Sequence, residues 1–274
     1  MADKYAVIGN PIAHSKSPQI HQMFAEQVGE DISYEAIEAP LNGFKNIINK
    51  LIENGYKGCN VTVPFKFEAW RLGASTPRAL DAEAVNTLKF ENGEIFGDNT
   101  DGIGLVRDIT QNLGFQIAGK RILLMGTGGA ASGVLHPLLD ENPQELVSAY
   151  RTLEKAQRIE QRIRGTAKFP VTSITFSSYP NLSEKCFDLI INATSSGLSD
   201  EMPPLPHGIF APGALAYDMM YGRETPFMRF AREHGAAVVS DGLGMLVEQA
   251  AESFFIWRGV RPDTIPVIAA LRKS

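Results

Sequence analysis

Only two cysteines, Cys59 and Cys186, occur in 274 residues. They are too few for a disulfide framework or a zinc site, and each lies in an apolar, strand-like stretch that predicts a buried thiol. No apolar run approaches the roughly 18 residues of a membrane span. The start, Met1-Ala2-Asp3-Lys4-Tyr5, has neither a basic lead nor an apolar signal core, so the expected compartment is the cytoplasm. Positive charge is not in excess: 26 Lys and Arg against 31 Asp and Glu leave a net charge of −5, which argues against nucleic acid as a partner. The five histidines, at 14, 21, 136, 207 and 234, show no metal-ligand spacing, and no metal is expected. Repeats of solenoid or propeller period are also missing. What remains is a folded chain of ordinary composition, 44% hydrophobic and 21% charged, sized for one large domain or two small ones.

Short apolar strands alternate with amphipathic helices, which predicts an α/β protein. Tyr5–Gly9 reads as a strand and Pro18–Gln27 as a helix, with Ser17 at its N-cap and Pro18 in its first turn. A second unit follows in strand 33–39 and helix 41–53, and then the strand 58–63. Asn92-Gly93 between 86–90 and 94–98 is a hairpin signal that gives the parallel sheet an antiparallel edge. After a helix over 103–113, a new α/β block starts at strand 120–125. Its further strands are placed at 146–149, 187–191, 215–218 and 237–239, with helices at 154–164 and 226–234. The closing helices, 243–257 and 264–271, have no strand after them and are free to pack on the first block.

Gly126-Thr127-Gly128-Gly129-Ala130-Ala131 follows a strand and opens a helix, fitting the G-x-G-x-x-G/A fingerprint of dinucleotide binding. Its glycines admit a pyrophosphate close to free backbone N–H groups at the helix start. Pro137 predicts a kink or an early end to that helix. About 20 residues on, where an acid would bond the ribose of NAD, the chain reads Tyr150-Arg151-Thr152-Leu153-Glu154-Lys155. Arg151, Thr152 and Lys155 suit a 2′-phosphate, so NADP is the expected cofactor.

In the first block, Ser15 and Ser17 lie between a strand and a helix, where a small carboxylate can be received. Strand alternation puts Asn60 and Thr62 on one face, and Lys66 falls beyond Pro64, at the carboxyl end where open α/β sheets bind ligands. Asp98-Asn99-Thr100-Asp101-Gly102 reads as a turn with a cap. A lysine and an acid converging near a nicotinamide site are what a carbonyl reductase needs, as proton donor and positioning partner. Ser195 and Ser196 follow a strand without a nucleophile elbow and read as a cofactor-lining loop.

Taken together, these motifs resemble the shikimate dehydrogenase family over the whole chain. The markers are Val7-Ile8-Gly9-Asn10-Pro11 with His14-Ser15-Lys16-Ser17-Pro18, Asn60-Val61-Thr62-Val63-Pro64-Phe65-Lys66, Ala84-Val85-Asn86-Thr87 and Gly97-Asp98-Asn99-Thr100-Asp101-Gly102. Further markers are Asn192-Ala193-Thr194-Ser195-Ser196-Gly197, Tyr217-Asp218-Met219 with Tyr221, and Asp241-Gly242-Leu243-Gly244-Met245-Leu246-Val247 with Gln249. The resemblance implies two α/β domains: a substrate domain over 1–102 plus 242–274, to which the C-terminal helices return, and a doubly wound, Rossmann-like NADP domain over 103–241. It implies Lys66 and Asp101 as the catalytic pair and Ser15, Ser17, Asn60, Thr62, Asn86, Tyr221 and Gln249 as substrate contacts. The cofactor's contacts would be Gly126, Thr127, Gly128, Gly129, Ala130, Arg151, Thr152 and Lys155, together with Thr194, Gly244 and Met245.

The implied reaction is reversible, NADP-dependent reduction of 3-dehydroshikimate to shikimate in aromatic amino-acid biosynthesis, by a monomer or homodimer with no nucleic-acid or membrane partner. Four positions depart from the family's habit: Thr127 for alanine, Tyr150 for asparagine, Lys155 for a frequent arginine, and Glu83 where glycine often precedes Ala-Val-Asn-Thr. Rival readings are an NAD-dependent quinate/shikimate dehydrogenase, which the missing acid disfavours, a methylenetetrahydrofolate dehydrogenase, and a non-catalytic NADP sensor, disfavoured by Lys66 and Asp101.

Overall fold

A computed structural model describes residues 2–165, 174–194 and 201–273. Its contacts divide the chain into two units, 1–104 with 246–274, and 105–245.

The first unit carries β1 (Asp3–Gly9), α1 (Ser17–Val28), β2 (Ile32–Glu38), α2 (Phe44–Glu53), β3 (Tyr56–Val61), α3 (Lys66–Trp70), β4 (Ala74–Ser75), α4 (Pro77–Ala82), β5 (Thr87–Glu91), β6 (Glu94–Asp98) and the start of α5 (Asp101–Arg107). Its sheet runs β2-β1-β3-β5-β6-β4. β1 pairs parallel with β2 and β3, whereas β5 pairs antiparallel with β3 and β6. The expected hairpin forms, with Asn92 and Gly93 both at positive φ as a tight primed turn requires. It is not the sheet's edge, because two residues of β4 pair parallel with β6 outside it. So short a strand leaves no periodic pattern to read.

Ser17 is not the N-cap of α1. The helix starts at Ser17 itself, Lys16 caps it without a side-chain bond, and the Ser15 hydroxyl accepts the Ser17 N–H at 3.3 Å. The capping oxygen thus comes from one position outside the cap.

In the second unit, a π-helical turn over Asp108–Asn112 is followed by β7 (Arg121–Met125), α6 (Gly129–Asp140), β8 (Glu145–Tyr150), α7 (Leu153–Gly165), β9 (Ile174–Ser178), β10 (Phe187–Asn192), β11 (Phe210–Asp218), α8 (Pro226–Glu233) and β12 (Val238–Ser240). The sheet order β12-β11-β10-β7-β8-β9 is parallel throughout. Numbered from β7, that is the 3-2-1-4-5-6 order of a doubly wound nucleotide fold, with its switch point between β7 and β10. Ile122 and Leu124 pack into one core cluster while Leu123 and Met125 pack into another, as a central strand buried on both faces requires.

Pro137 does not end α6, which continues to Asp140. Burial of Leu135, Leu138 and Leu139, at about 2 kcal/mol each, outweighs the roughly 3 kcal/mol a mid-helix proline costs. The helix expected over 103–113 divides into α5 and the π turn, and β9 has no counterpart in the sequence reading. Cys59 is buried as expected, but Cys186 is only half-buried and accepts a hydrogen bond from the Arg121 guanidinium at 3.1 Å.

The chain closes with α9 (Leu243–Arg258) and α10 (Ile265–Leu271). From Leu246 onward it packs in the first unit, where Trp257 stacks on Tyr5 with ring centroids 4.6 Å apart and donates its indole N–H to the carbonyl of Leu88 at 3.0 Å. The C-terminal helices therefore return to the N-terminal block. Among the described residues no helix is long and apolar enough to cross a membrane.

Candidate active site

Pro64 follows the end of β3, and the chain turns at once into α3, whose first residue is Lys66. Asp101 opens α5, where an acid suits the positive end of a helix. These two helix starts bring together residues 35 positions apart. The Lys66 ammonium donates to Asp101 Oδ2 at 2.6 Å, and the Asn86 amide donates to Asp101 Oδ1 at 2.7 Å. Both carboxylate oxygens are thus fixed. Lys66 keeps partial exposure, its side chain being 29% accessible, so the ion pair is open to a ligand.

Behind the pair lies a buried polar layer. Asn86 Oδ1 accepts from the Thr100 N–H at 2.9 Å and from the Thr100 and Thr87 hydroxyls, and its amide also reaches Gln249 Oε1 at 3.5 Å. Asn60 donates to the Asn86 carbonyl, Thr87 and Ser253, and accepts from the Tyr34 hydroxyl at 2.7 Å. Ser253, one helical turn after Gln249 on α9, lies within hydrogen-bond distance of Asn60, Thr87 and Thr100. A layer satisfied this fully is rigid, so Asn86 and Gln249 are held in place rather than free to rotate.

Thr62 donates its N–H to Ile8 at the end of β1, beside the connection that carries Ser15 and Ser17. Ser17 is linked in turn to Tyr34, whose phenol is raised well above its ordinary pKa by burial. His21 stacks on Tyr34, with ring centroids 4.3 Å apart, and burial lowers its pKa to about 3 against the opposing effect of Asn60. Both rings are therefore neutral packing surfaces under the site. Tyr34, His21 and Ser253 are missing from the sequence reading. The i, i+4 spacing of Gln249 and Ser253 was the one available signal.

In the second unit, Gly126, Thr127, Gly128, Arg151, Thr152, Lys155, Tyr179, Ala193 and Thr194 line a cavity of about 160 Å³ at the switch point. Gly126 has φ +109°, a conformation that favours glycine. Gly128 and Gly129 have no such need, yet a Cβ on either would meet only open space. Their glycine identity is not demanded by the protein's own packing, which fits close approach of a pyrophosphate to the start of α6. The basic and hydroxyl groups of Arg151, Thr152 and Lys155 supply what a 2′-phosphate takes, so the residues present fit NADP. Thr194 is fixed by donating to Asn192 Oδ1 at 2.7 Å. Tyr179, immediately after the unexpected β9, completes the lining.

Farther along the same unit, the buried Tyr217 hydroxyl donates to Asp108 Oδ2 at 2.6 Å and accepts the Met245 N–H at 3.3 Å. A Cβ on Gly244 would collide with the Asp108 carboxylate, so the Gly244-Met245 backbone sits against this dyad and only glycine fits. Tyr221 is half-buried beyond the end of β11. The Ser195-Ser196 loop lies outside the described residues.

Residues 7–88 match the shikimate dehydrogenase substrate binding domain, residues 107–199 shikimate/quinate 5-dehydrogenase, and residues 242–272 the shikimate 5′-dehydrogenase C-terminal domain. The NADP(+)-dependent shikimate dehydrogenase of Methylobacillus flagellatus is 61% identical over 273 residues, covering 99% of this chain and 100% of the relative. Among solved structures, the Ael1 enzyme of Pseudomonas putida shares 46% identity at a TM-score of 0.92, over 98% of each chain. The shikimate 5-dehydrogenase of Thermus thermophilus, solved with NADP(H) and shikimate, shares 31% at a TM-score of 0.86, covering 99% of both. Three matched segments in the expected order, and full-length identity to such a relative, agree with what the glycine loop and the lysine–aspartate pair indicate: the chain belongs to the shikimate dehydrogenase family.

Proposed function

We propose that the chain is an NADP-dependent shikimate dehydrogenase that reduces 3-dehydroshikimate to shikimate reversibly, with Lys66 and Asp101 as its catalytic pair. The observation that carries the reading is the ion pair of Lys66 with a carboxylate whose second oxygen is held by Asn86. NADPH, when bound, supplies the hydride. Lys66 donates a proton to the carbonyl oxygen as it becomes an alkoxide, and in the reverse direction its neutral amine accepts the proton of the substrate hydroxyl. Asp101 holds the lysine in place and keeps its charge balanced while the proton moves.

Ser15, Ser17 and Thr62 receive the substrate's carboxylate, while Asn86, Gln249 and Tyr221 face its hydroxyls. Asn60, with its four protein partners, acts by holding Asn86 and Tyr34 as much as by direct contact. Gly126 to Ala130, Arg151, Thr152, Lys155 and Thr194 hold the adenosine and phosphate end of the cofactor, with Gly244 and Met245 at its nicotinamide. The substrate domain is 1–102 plus 242–274 and the NADP domain 103–241. The enzyme works in the cytoplasm as a monomer or homodimer.

The test is to mix the purified protein with shikimate and NADP and follow the NADPH absorbance band. Growth of the band that needs both compounds is the expected result, and its absence at every pH and concentration tried overturns the reading. Faster growth with NAD than with NADP at equal concentration overturns the cofactor assignment alone.

A further inference from the structure

We infer that Tyr179 is a specificity-determining residue of the cofactor site, its hydroxyl donating a hydrogen bond to the 2′-phosphate that separates NADP from NAD. The inference rests on the reading of the cavity after β7 as the NADP site, and adds a residue outside both the glycine fingerprint and the Arg151-Thr152 pair.

Strand register sets its position. β8 and β9 pair with Tyr150 opposite Ser178, so the next residues, Arg151 and Tyr179, leave the sheet side by side at its carboxyl edge. Both line the same cavity with Thr152 and Lys155. Tyr179 is only 4% exposed, and its ring is embedded in a cluster with Leu123, Met125, Val147, Ala149 and Leu182. A ring sunk that far offers no open face for stacking on a base. What it can present to the cavity is its one polar atom.

That hydroxyl makes no hydrogen bond to any described residue. The oxygen is not among the sealed, unpartnered polar atoms of the described residues, so it stays open to whatever fills the cavity. Burial raises its pKa to about 12 despite the opposing field of Arg151, so the group is a neutral donor at physiological pH. Arg151, Thr152, Lys155 and Tyr179, each with a donor to offer, all line this cavity. A phosphate monoester, with three acceptor oxygens, satisfies them, and a bare ribose hydroxyl does not.

The experiment is calorimetric titration of wild type and Tyr179→Phe with two probes, adenosine 2′,5′-bisphosphate and 5′-AMP, which differ only in the 2′-phosphate. Phenylalanine keeps the embedded ring, and 5′-AMP binding reports whether the site is intact in the variant. The expected result is about a tenfold weaker affinity of Tyr179→Phe for the bisphosphate, as for one hydrogen bond to a charged group, with 5′-AMP unchanged. In kinetics, the KM for NADPH rises in step while kcat and the KM for shikimate stay put. Equal bisphosphate affinity in both proteins, or equal losses for both probes, overturns the role of the hydroxyl. A wild type that binds the two probes equally overturns the NADP reading of the cavity, and this proposal with it.

Discussion

Lys66 and Asp101, 35 residues apart in the chain, meet at 2.6 Å because each begins a helix a few residues after a strand of the first sheet has ended. The pair is partly exposed on the lysine side and anchored from behind by Asn86, Thr100 and Gln249. An exposed ion pair contributes little to stability. Its fixed geometry is better explained by chemistry.

Asp101→Asn keeps the shape of the side chain and removes its charge, so Lys66 loses its counter-ion. Steady-state kinetics are expected to show kcat falling about ten- to a thousandfold, with a smaller change in the KM for shikimate. A normal kcat with a raised KM would make Asp101 a binding group only.

Arg151→Ala removes the planar guanidinium from the cofactor cavity. The KM for NADPH should rise about tenfold or more while the value for NADH hardly changes, which narrows the preference between the two. Parallel changes for both cofactors would place Arg151 elsewhere on the nucleotide.

Much of this arrangement is legible in the sequence, and the parts that are not share a physical cause. The glycine loop, the Asn-Gly turn and most strands of the second sheet announce themselves through local chemistry and periodicity. β9, Ile-Thr-Phe-Ser-Ser, carries too few apolar residues to stand out, and Tyr179 is hidden with it. The capping role of Ser15 and the persistence of α6 through Pro137 run against expectation because both depend on neighbours that local rules do not include. Ser253 and Tyr34 act through partners distant in sequence, on other elements of the first unit. Only tertiary contact makes them part of the site.

His21 links fold to pH. Its folded-state pKa of about 3 lies below the 6.5 of an unfolded histidine, so the unfolded chain binds the proton first as pH falls. His21 therefore stabilises above pH 6.5, and that contribution is lost by about 1.4 kcal/mol per pH unit on the way down to about pH 3. Urea unfolding at several pH values should show His21→Phe losing less stability than wild type over this window. Parallel curves would mean that His21 is not held neutral in the fold.

Glu83 occupies the left-handed C-cap of α4 at φ 50°, a backbone conformation that favours glycine. A side chain costs about 1–2 kcal/mol there, partly offset by the greater unfolded entropy of glycine. Glu83→Gly should raise the unfolding free energy by up to about 1 kcal/mol, read as a higher Tm. A lower Tm would mean that contacts of the Glu83 side chain outweigh its backbone strain.

The most direct test of the account is the kcat of Lys66→Met with shikimate and NADP, set beside its binding of shikimate. Loss of the proton-transferring amine predicts a kcat about 10²- to 10⁴-fold below wild type, with shikimate still bound. Turnover near the wild-type rate would contradict the assignment of Lys66, and with it the chemistry proposed for the pair.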